Sequence, residues 1–206
     1  MPDQKEKHPI GPHLGHAILS KLRRFGFGEE SFLIVLAVLI GCLTSLGSIV
    51  FIELVYYIHG LCYGQGESEG LYRGAWFMLL LLPMLGALFV GFITFFYSEE
   101  VRGHGVSEVM CAIARRNGVI RARVALAKAV ASALTIGSGG SAGTEGPIIQ
   151  IGSAIGSSVG QRFRAVRYNM PVLVGCGAAA GIASIFNAPI AGVLFALEVF
   201  LRDVSF

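Results

Sequence analysis

The residues best placed to do chemistry lie in Gly137–Gly156, GSGGSAGTEGPIIQIGSAIG, where one carboxylate, Glu145, is set among glycines, serines and alanines. Long apolar runs surround the stretch. An ionisable side chain in membrane-like surroundings is costly and marks the path of an ion or proton. Small neighbours let backbone approach backbone, or a ligand, more closely than larger side chains allow. Pro147, two residues on, suits the first turn of a helix and puts Glu145 at a helix N-terminus. An acid that merely complements a helix dipole is worth a few tenths to about 1 kcal/mol. Inside a membrane the cost of desolvating it, several kcal/mol, outweighs that gain. Helix-terminal N–H groups that hold a carboxylate also hold a small anion, so the side chain can plug an anion site and vacate it on protonation. That is transport chemistry rather than bond-breaking chemistry.

Other motifs are weighed beside it. Arg102–Ser107, RGHGVS, is a second glycine-rich entry to a short helix, in which His104 reads either as a pH-sensitive pore ligand or as a loop histidine. Spacing alone favours the loop. Gly152, Gly156 and Gly160 form a ladder of small residues, and Gly177 and Gly181 another, both signatures of tight helix packing. Gly137–Ala142 satisfies G-x-G-x-x-A, but no strand precedes it and no acid follows about twenty residues on, so a dinucleotide site is rejected. A P-loop is excluded because no Gly-Lys-Ser/Thr follows. Ser138 in GSGG raises an intramembrane serine protease, which needs a histidine base on a neighbouring helix. His8, His13, His16, His59 and His104 all precede Ser138 and none lies in a clear span, which argues against an enzyme.

Composition supports the membrane setting. Hydrophobic residues make up 54% and charged residues only 14%, with mean hydropathy +0.68, where a soluble domain carries roughly a quarter charged residues. Net charge is +3, and the basic residues lie in short clusters rather than a stripe, so nucleic acid is not an expected partner. Cys42, Cys62, Cys111 and Cys176 show no CxxC pair and read as small hydrophobes, neither a disulfide framework nor a metal site. No short apolar core with a cleavage site marks a secretory signal.

Met1–Glu30 is polar and basic, carrying Lys5, Lys7, Lys21, Arg23 and Arg24, and its His16–Phe25 part has the character of a short surface helix. Ser31–Phe51 is uncharged and long enough to cross about 30 Å of hydrocarbon, continuing to Ile58 past Glu53. Ala75–Tyr97 is a second span, expected to kink at Pro83. The intervening Gly60–Gly74 linker holds Arg73 as its one basic residue, whereas Met1–Glu30 and Arg102–Lys128 are rich in Lys and Arg. The positive-inside rule therefore puts the N-terminus in the cytoplasm and that linker outside. Val124–Ile136 and Pro147–Val159 are short, and Pro171–Leu197 is broken at Asn187 and Pro189. Such segments are tolerated only where protein buries them or a wet cavity receives them, as in the broken helices of transporters.

These residues together resemble the CLC family of chloride channels and chloride/proton exchangers. GTEGPIIQIGSAIG at Gly143–Gly156 is similar to the family's Gly-x-Glu-Gly-Pro block, and GAAAGIASIFNAPIAGVLFALEV at Gly177–Val199 to the packed helices that follow it. GHGVSEV at Gly103–Val109 sits where the family carries Gly-Ser-Gly-Ile-Pro, in a degraded form. The resemblance runs from about Phe32 onward. It implies an all-α integral membrane fold, the first inverted repeat, with broken, tilted and re-entrant helices, as a multi-pass protein of the plasma (cell inner) membrane. It assigns Glu145 as the external gating glutamate, and it assigns backbone at Gly103, His104, Gly105, Gly143, Gly146, Pro147 and Ile148 to the anion at helix N-termini. His104 replaces a chloride-coordinating serine and Ser107 the usual proline. Val199 stands where exchangers carry an internal proton-transfer glutamate, next to Glu198, so an apolar residue there resembles the channel branch.

The domain expectation is a cytoplasmic segment over 1–30 and a transmembrane region over 31–206, with the second repeat absent. The chain stops at Phe206, near the end of what resembles the first repeat. A second repeat would supply another helix N-terminus and a tyrosine hydroxyl to complete the site. The expectation is an anion-channel half partnered by that repeat and by the lipid bilayer, homodimeric when complete, with chloride as cargo and no cofactor. A truncated inactive fragment and an antiporter half are the alternatives.

Overall fold

The computed structural model describes residues 29–64, 76–97, 105–163 and 170–200. These form seven helices and, among the described residues, no strand: α1 (Glu29–Tyr63), α2 (Trp76–Tyr97), α3 (Val106–Arg116), α4 (Ala122–Gly137), α5 (Glu145–Phe163), α6 (Met170–Phe186) and α7 (Pro189–Phe200). The fold is all-α, as the sequence implied. The surface helix expected over His16–Phe25 lies outside the described residues.

Among the described residues, one helix is long and apolar enough to cross a membrane, Ser31–Tyr63. Its 35-residue parent α1 extends about 50 Å at 1.5 Å per residue, more than a hydrocarbon core needs. It outruns the expected end at Ile58 and absorbs the first residues of the Gly60–Gly74 linker, because His59–Tyr63 keep helical contacts: Tyr63 stacks on His59 at 4.7 Å between ring centroids. Helix α2 runs unbroken past Pro83.

The remaining helices bury one another. Their centre is the crossing of α5 and α6, with α1 across both and α4 beside α5. Small residues set that crossing. A Cβ placed on Gly152 would meet the carbonyl of Gly177, and one on Gly177 the carbonyl of Gly152. A Cβ on Gly156 would meet the Leu173 carbonyl, and one on Gly181 would come within 2.9 Å of Ile148. The two glycine ladders are therefore the packing surface, which lets two backbones touch where apolar side chains gain little from leaving lipid.

The break expected in Pro171–Leu197 is present. Helix α6 ends at Phe186, Asn187 takes a left-handed conformation at φ 51°, and α7 restarts with Pro189 as its first residue. A proline at a helix start loses nothing, because its missing N–H would have had no partner there. Helix α7 then folds back on α6, with the Ala179 carbonyl against Gly192.

A buried hydroxyl locks the turn between α3 and α4. Ser157 Oγ, fully buried on α5, donates to the Gly118 carbonyl at 2.7 Å and accepts from the Ile120 N–H at 2.8 Å. Gln161 Nε2 adds a bond to the same Oγ at 2.9 Å. One serine thus satisfies a backbone group on each of the two buried residues of an irregular segment, Gly118 and Ile120.

Candidate anion site

Two helix N-termini meet at the site. Helix α3 begins after Gly105, which is buried with φ 75°. That backbone region is open to glycine and strained for other residues. A Cβ on Gly105 would also strike the Gly146 carbonyl carbon and oxygen, so the start of α3 lies directly on the first turn of α5. The sequence had singled out both glycines separately, and the fold brings them into backbone contact. Gly103 and His104 lie outside the described residues.

Helix α5 starts at Glu145. The approach to it is held from three sides. The Gly140 N–H donates to the Thr135 carbonyl at 2.8 Å and the Ser138 N–H to Leu134 at 3.0 Å, closing the end of α4. Tyr63 Oη at the end of α1 donates to the Ser138 carbonyl at 2.9 Å. Ser138 Oγ donates to Thr135 at 3.1 Å and fills the groove above Gly86 of α2. Ser138 thus closes this loop, and His59, expected outside any clear span, lies within the long apolar helix Ser31–Tyr63.

Glu145 is exposed, and its carboxylate turns back over Gly143, where Oε2 occupies the space a Cβ of residue 143 would need. A glycine at 143 thus permits the carboxylate to lie across the start of its own helix. The first N–H groups of a helix have no intrahelical acceptor and carry a partial positive charge. Here these belong to Glu145 and Gly146. Two of the expected backbone donors drop out: Pro147 has no N–H, and the Ile148 N–H already donates to the Thr144 carbonyl at 3.1 Å. Both side chains are buried in the core beneath the turn and serve it by packing.

Behind the two termini, Gln150 of α5 is 2% exposed and its Nε2 donates to Glu108 Oε2 of α3 at 2.7 Å. Sequence reading passed over this pair, because the two residues stand 42 positions apart and each reads singly as an ordinary polar residue of a helix. Lys128 of α4, half-buried, lies within the electrostatic reach of Glu108. Among the described residues no cluster of His, Cys, Asp and Glu has the makings of a metal site.

Val199 of α7 is half-buried and packs on the apolar cluster that contains Val109, Ile149, Ala178 and Phe200, whereas the adjoining Glu198 is exposed. Ser107, which replaces the usual proline, is exposed on the first turn of α3.

Comparison with known proteins agrees with this architecture. The family model described as voltage gated chloride channel matches residues 85–206. A ClcB-like protein of Ralstonia nicotianae is 36% identical over 184 residues, covering 84% of this chain and 42% of the relative. The chloride channel protein CLC-f of Arabidopsis thaliana is 30% identical over 212 residues, covering 92% of this chain and 26% of the relative. The H(+)/Cl(-) exchange transporter ClcA of Citrobacter koseri is 33% identical over 164 residues, covering 79% of this chain and 35% of the relative. The chain thus spans less than half the length of these relatives.

Proposed function

The chain belongs to the voltage-gated chloride channel family, whose members are integral membrane channels or transporters, and from that premise we propose that it carries one half of a chloride path gated by Glu145. The observation that carries this reading is the contact of Gly105 with Gly146, which joins two helix N-termini beside a carboxylate lying over one of them. Oriented N–H groups at such termini favour an anion. A carboxylate beside them competes with chloride while ionised and yields when protonated. We assign backbone at Gly105 and from Gly143 to Gly146 to the path, and the family resemblance extends that assignment to Gly103 and His104.

The reading favours passive conduction over proton exchange. A valine in an apolar cluster cannot relay a proton, and Val199 occupies such a cluster. A second repeat, supplied by another chain or by a longer form of this one, completes the site. The assembly is a homodimer in the plasma membrane with the N-terminus cytoplasmic, and it needs no resident cofactor because the ion is the substrate.

The test is chloride efflux from liposomes holding this chain alone and then with a second repeat supplied. Efflux in either preparation supports the proposal, and none in both overturns it.

A further inference from the structure

The Glu108–Gln150 pair sits one turn behind the two N-termini and bridges the same two helices. Glu108 lies in the first turn of α3, three residues after Gly105. Gln150 lies on α5 four residues after Gly146, so both fall on one helix face. The backbone contact of the glycines and the bond between the side chains are thus two successive ties along one helix seam. We propose that Glu108 and Gln150 are positioning residues of the anion site: their hydrogen bond fixes the rotation and offset of α5 against α3, and so the spacing of the N–H groups at the two termini. The inference rests on the function proposed above.

Three observations carry it. The bond is 2.7 Å long and ends on a carboxylate, so it is charge-assisted and stronger than a bond between neutral amides. Gln150 is almost fully buried, and its Oε1 has no hydrogen-bond partner among the described residues, so the bond to Glu108 is the contact that orients its amide. The seam is packed on one flank, where Val109 joins the apolar core with Ile149, and thin on the other. A cavity of about 130 Å³ lies against both side chains, with Val109 and Val124 in its wall and Arg116 and Arg121 at its margin. Side-chain packing on that flank therefore leaves room for the helices to slide, and α3 has few other contacts, chiefly with α5 and α7. A glycine–glycine contact alone sets how close two helices approach without setting their rotation. A directional bond one turn away supplies the missing constraint.

The glutamate also attracts Lys128, so charge and hydrogen bonding must be separated. In Glu108→Gln the side-chain carbonyl still accepts from Gln150 while the charge is lost. Glu108→Leu removes both, and Gln150→Leu removes the donor and leaves the charge. Two readouts are taken on the full chain, with the second repeat where flux requires it: the chloride-to-nitrate flux ratio in liposomes, and hydrogen exchange of the α3 peptide containing Val109. Losing one hydrogen bond to a charged group shifts an equilibrium by roughly tenfold to a hundredfold. Glu108→Leu and Gln150→Leu should change the flux ratio and speed exchange by about that factor, and Glu108→Gln, which keeps the acceptor without its charge, should fall between them and the parent. Parent-like behaviour in both leucine variants overturns the proposal. So does Glu108→Gln matching Glu108→Leu, which would assign the effect to the Lys128 attraction. Lower protein yield with an unchanged flux ratio also overturns it, leaving a general packing role. Absence of flux in the parent sinks the proposed function alone, and hydrogen exchange then decides whether the pair holds α3 to α5.

Discussion

Gly105 and Gly146 touch through their backbones: a Cβ on the first would fall on the carbonyl of the second, and the first also holds φ 75°. No side chain larger than hydrogen satisfies both conditions. Gly105→Ala therefore meets two costs, a sparsely populated positive-φ backbone (φ 75°, ψ −63°) at about 1–3 kcal/mol and overpacking at about 1–3 kcal/mol. Gly41→Ala is the control, because nothing lies within 4 Å of a Cβ there, and a glycine-to-alanine change inside a helix gains roughly 0.5–1 kcal/mol. Thermal unfolding in detergent should show a marked loss for the first and parent-like or higher stability for the second. Equal midpoints for the two would mean that the α3 and α5 termini do not meet.

Glu145→Gln mimics the protonated carboxyl in size and removes its charge. The parent should pass chloride faster as pH falls, because protonation withdraws the competing anion from the helix terminus. The glutamine variant should be fast at neutral pH and nearly flat across the same range. Gly143→Ala offers a second route to the same end. Its Cβ would take the space of Glu145 Oε2, the far end of a flexible side chain, so the fold tolerates the change and the carboxylate is displaced. It should weaken the pH dependence while leaving Glu145 in place. A variant with the parent's profile, measured by efflux at acidic and neutral pH, would count against the competition mechanism.

Local signals were legible in the sequence. Glu145 at a helix start, the break at Asn187 and Pro189, and both glycine ladders follow from the conformational limits of proline, glycine and asparagine, which act over a few residues. Pairings across the fold were not legible. That Gly105 abuts Gly146, that Gln150 reaches Glu108, and that Tyr63 closes the loop at Ser138 depend on how α1, α3 and α5 cross. Periodicity says which residues a helix buries and not against what. Hydropathy also misjudged where helices end: α1 passes Ile58 to Tyr63 and α5 runs past Val159 to Phe163. A polar or aromatic residue continues a helix when another element waits for it, as the Ser138 carbonyl waits for Tyr63 Oη.

Ser157→Ala tests the lock on the α3–α4 turn. The hydroxyl serves the Gly118 carbonyl and the Ile120 N–H, both buried. Without it, one donor and one acceptor lose their partner, at about 1–3 kcal/mol for each group left unsatisfied. Ser158→Ala is the comparison, since that hydroxyl only returns to the Ala154 carbonyl of its own helix and its loss is close to neutral. The expected result is a fall of several degrees in unfolding midpoint for Ser157→Ala and little change for its neighbour. If Ser158→Ala were the more damaging, the assignment of Ser157 as the lock would be wrong.

The α5–α6 crossing makes the sharpest demand on side-chain size. Gly152 and Gly177 each face the other's carbonyl, so the approach is reciprocal, and Thr44 of α1 closes on the same point, its Cγ2 within 2.9 Å of a Cβ on Gly152. Neither helix can retreat without leaving α1 behind, and the obstructing atoms are backbone, which cannot rotate aside. Gly152→Ala and Gly177→Ala should therefore each cost about 1–3 kcal/mol as overpacking of a tight core. Combined, they should cost less than the sum, because the first already forces apart the surfaces that the second would strain. Gly91→Ala, where nothing lies within 4 Å, should leave stability unchanged or improved. A strictly additive double variant, measured by thermal unfolding in detergent, would show that the two glycines act at separate contacts.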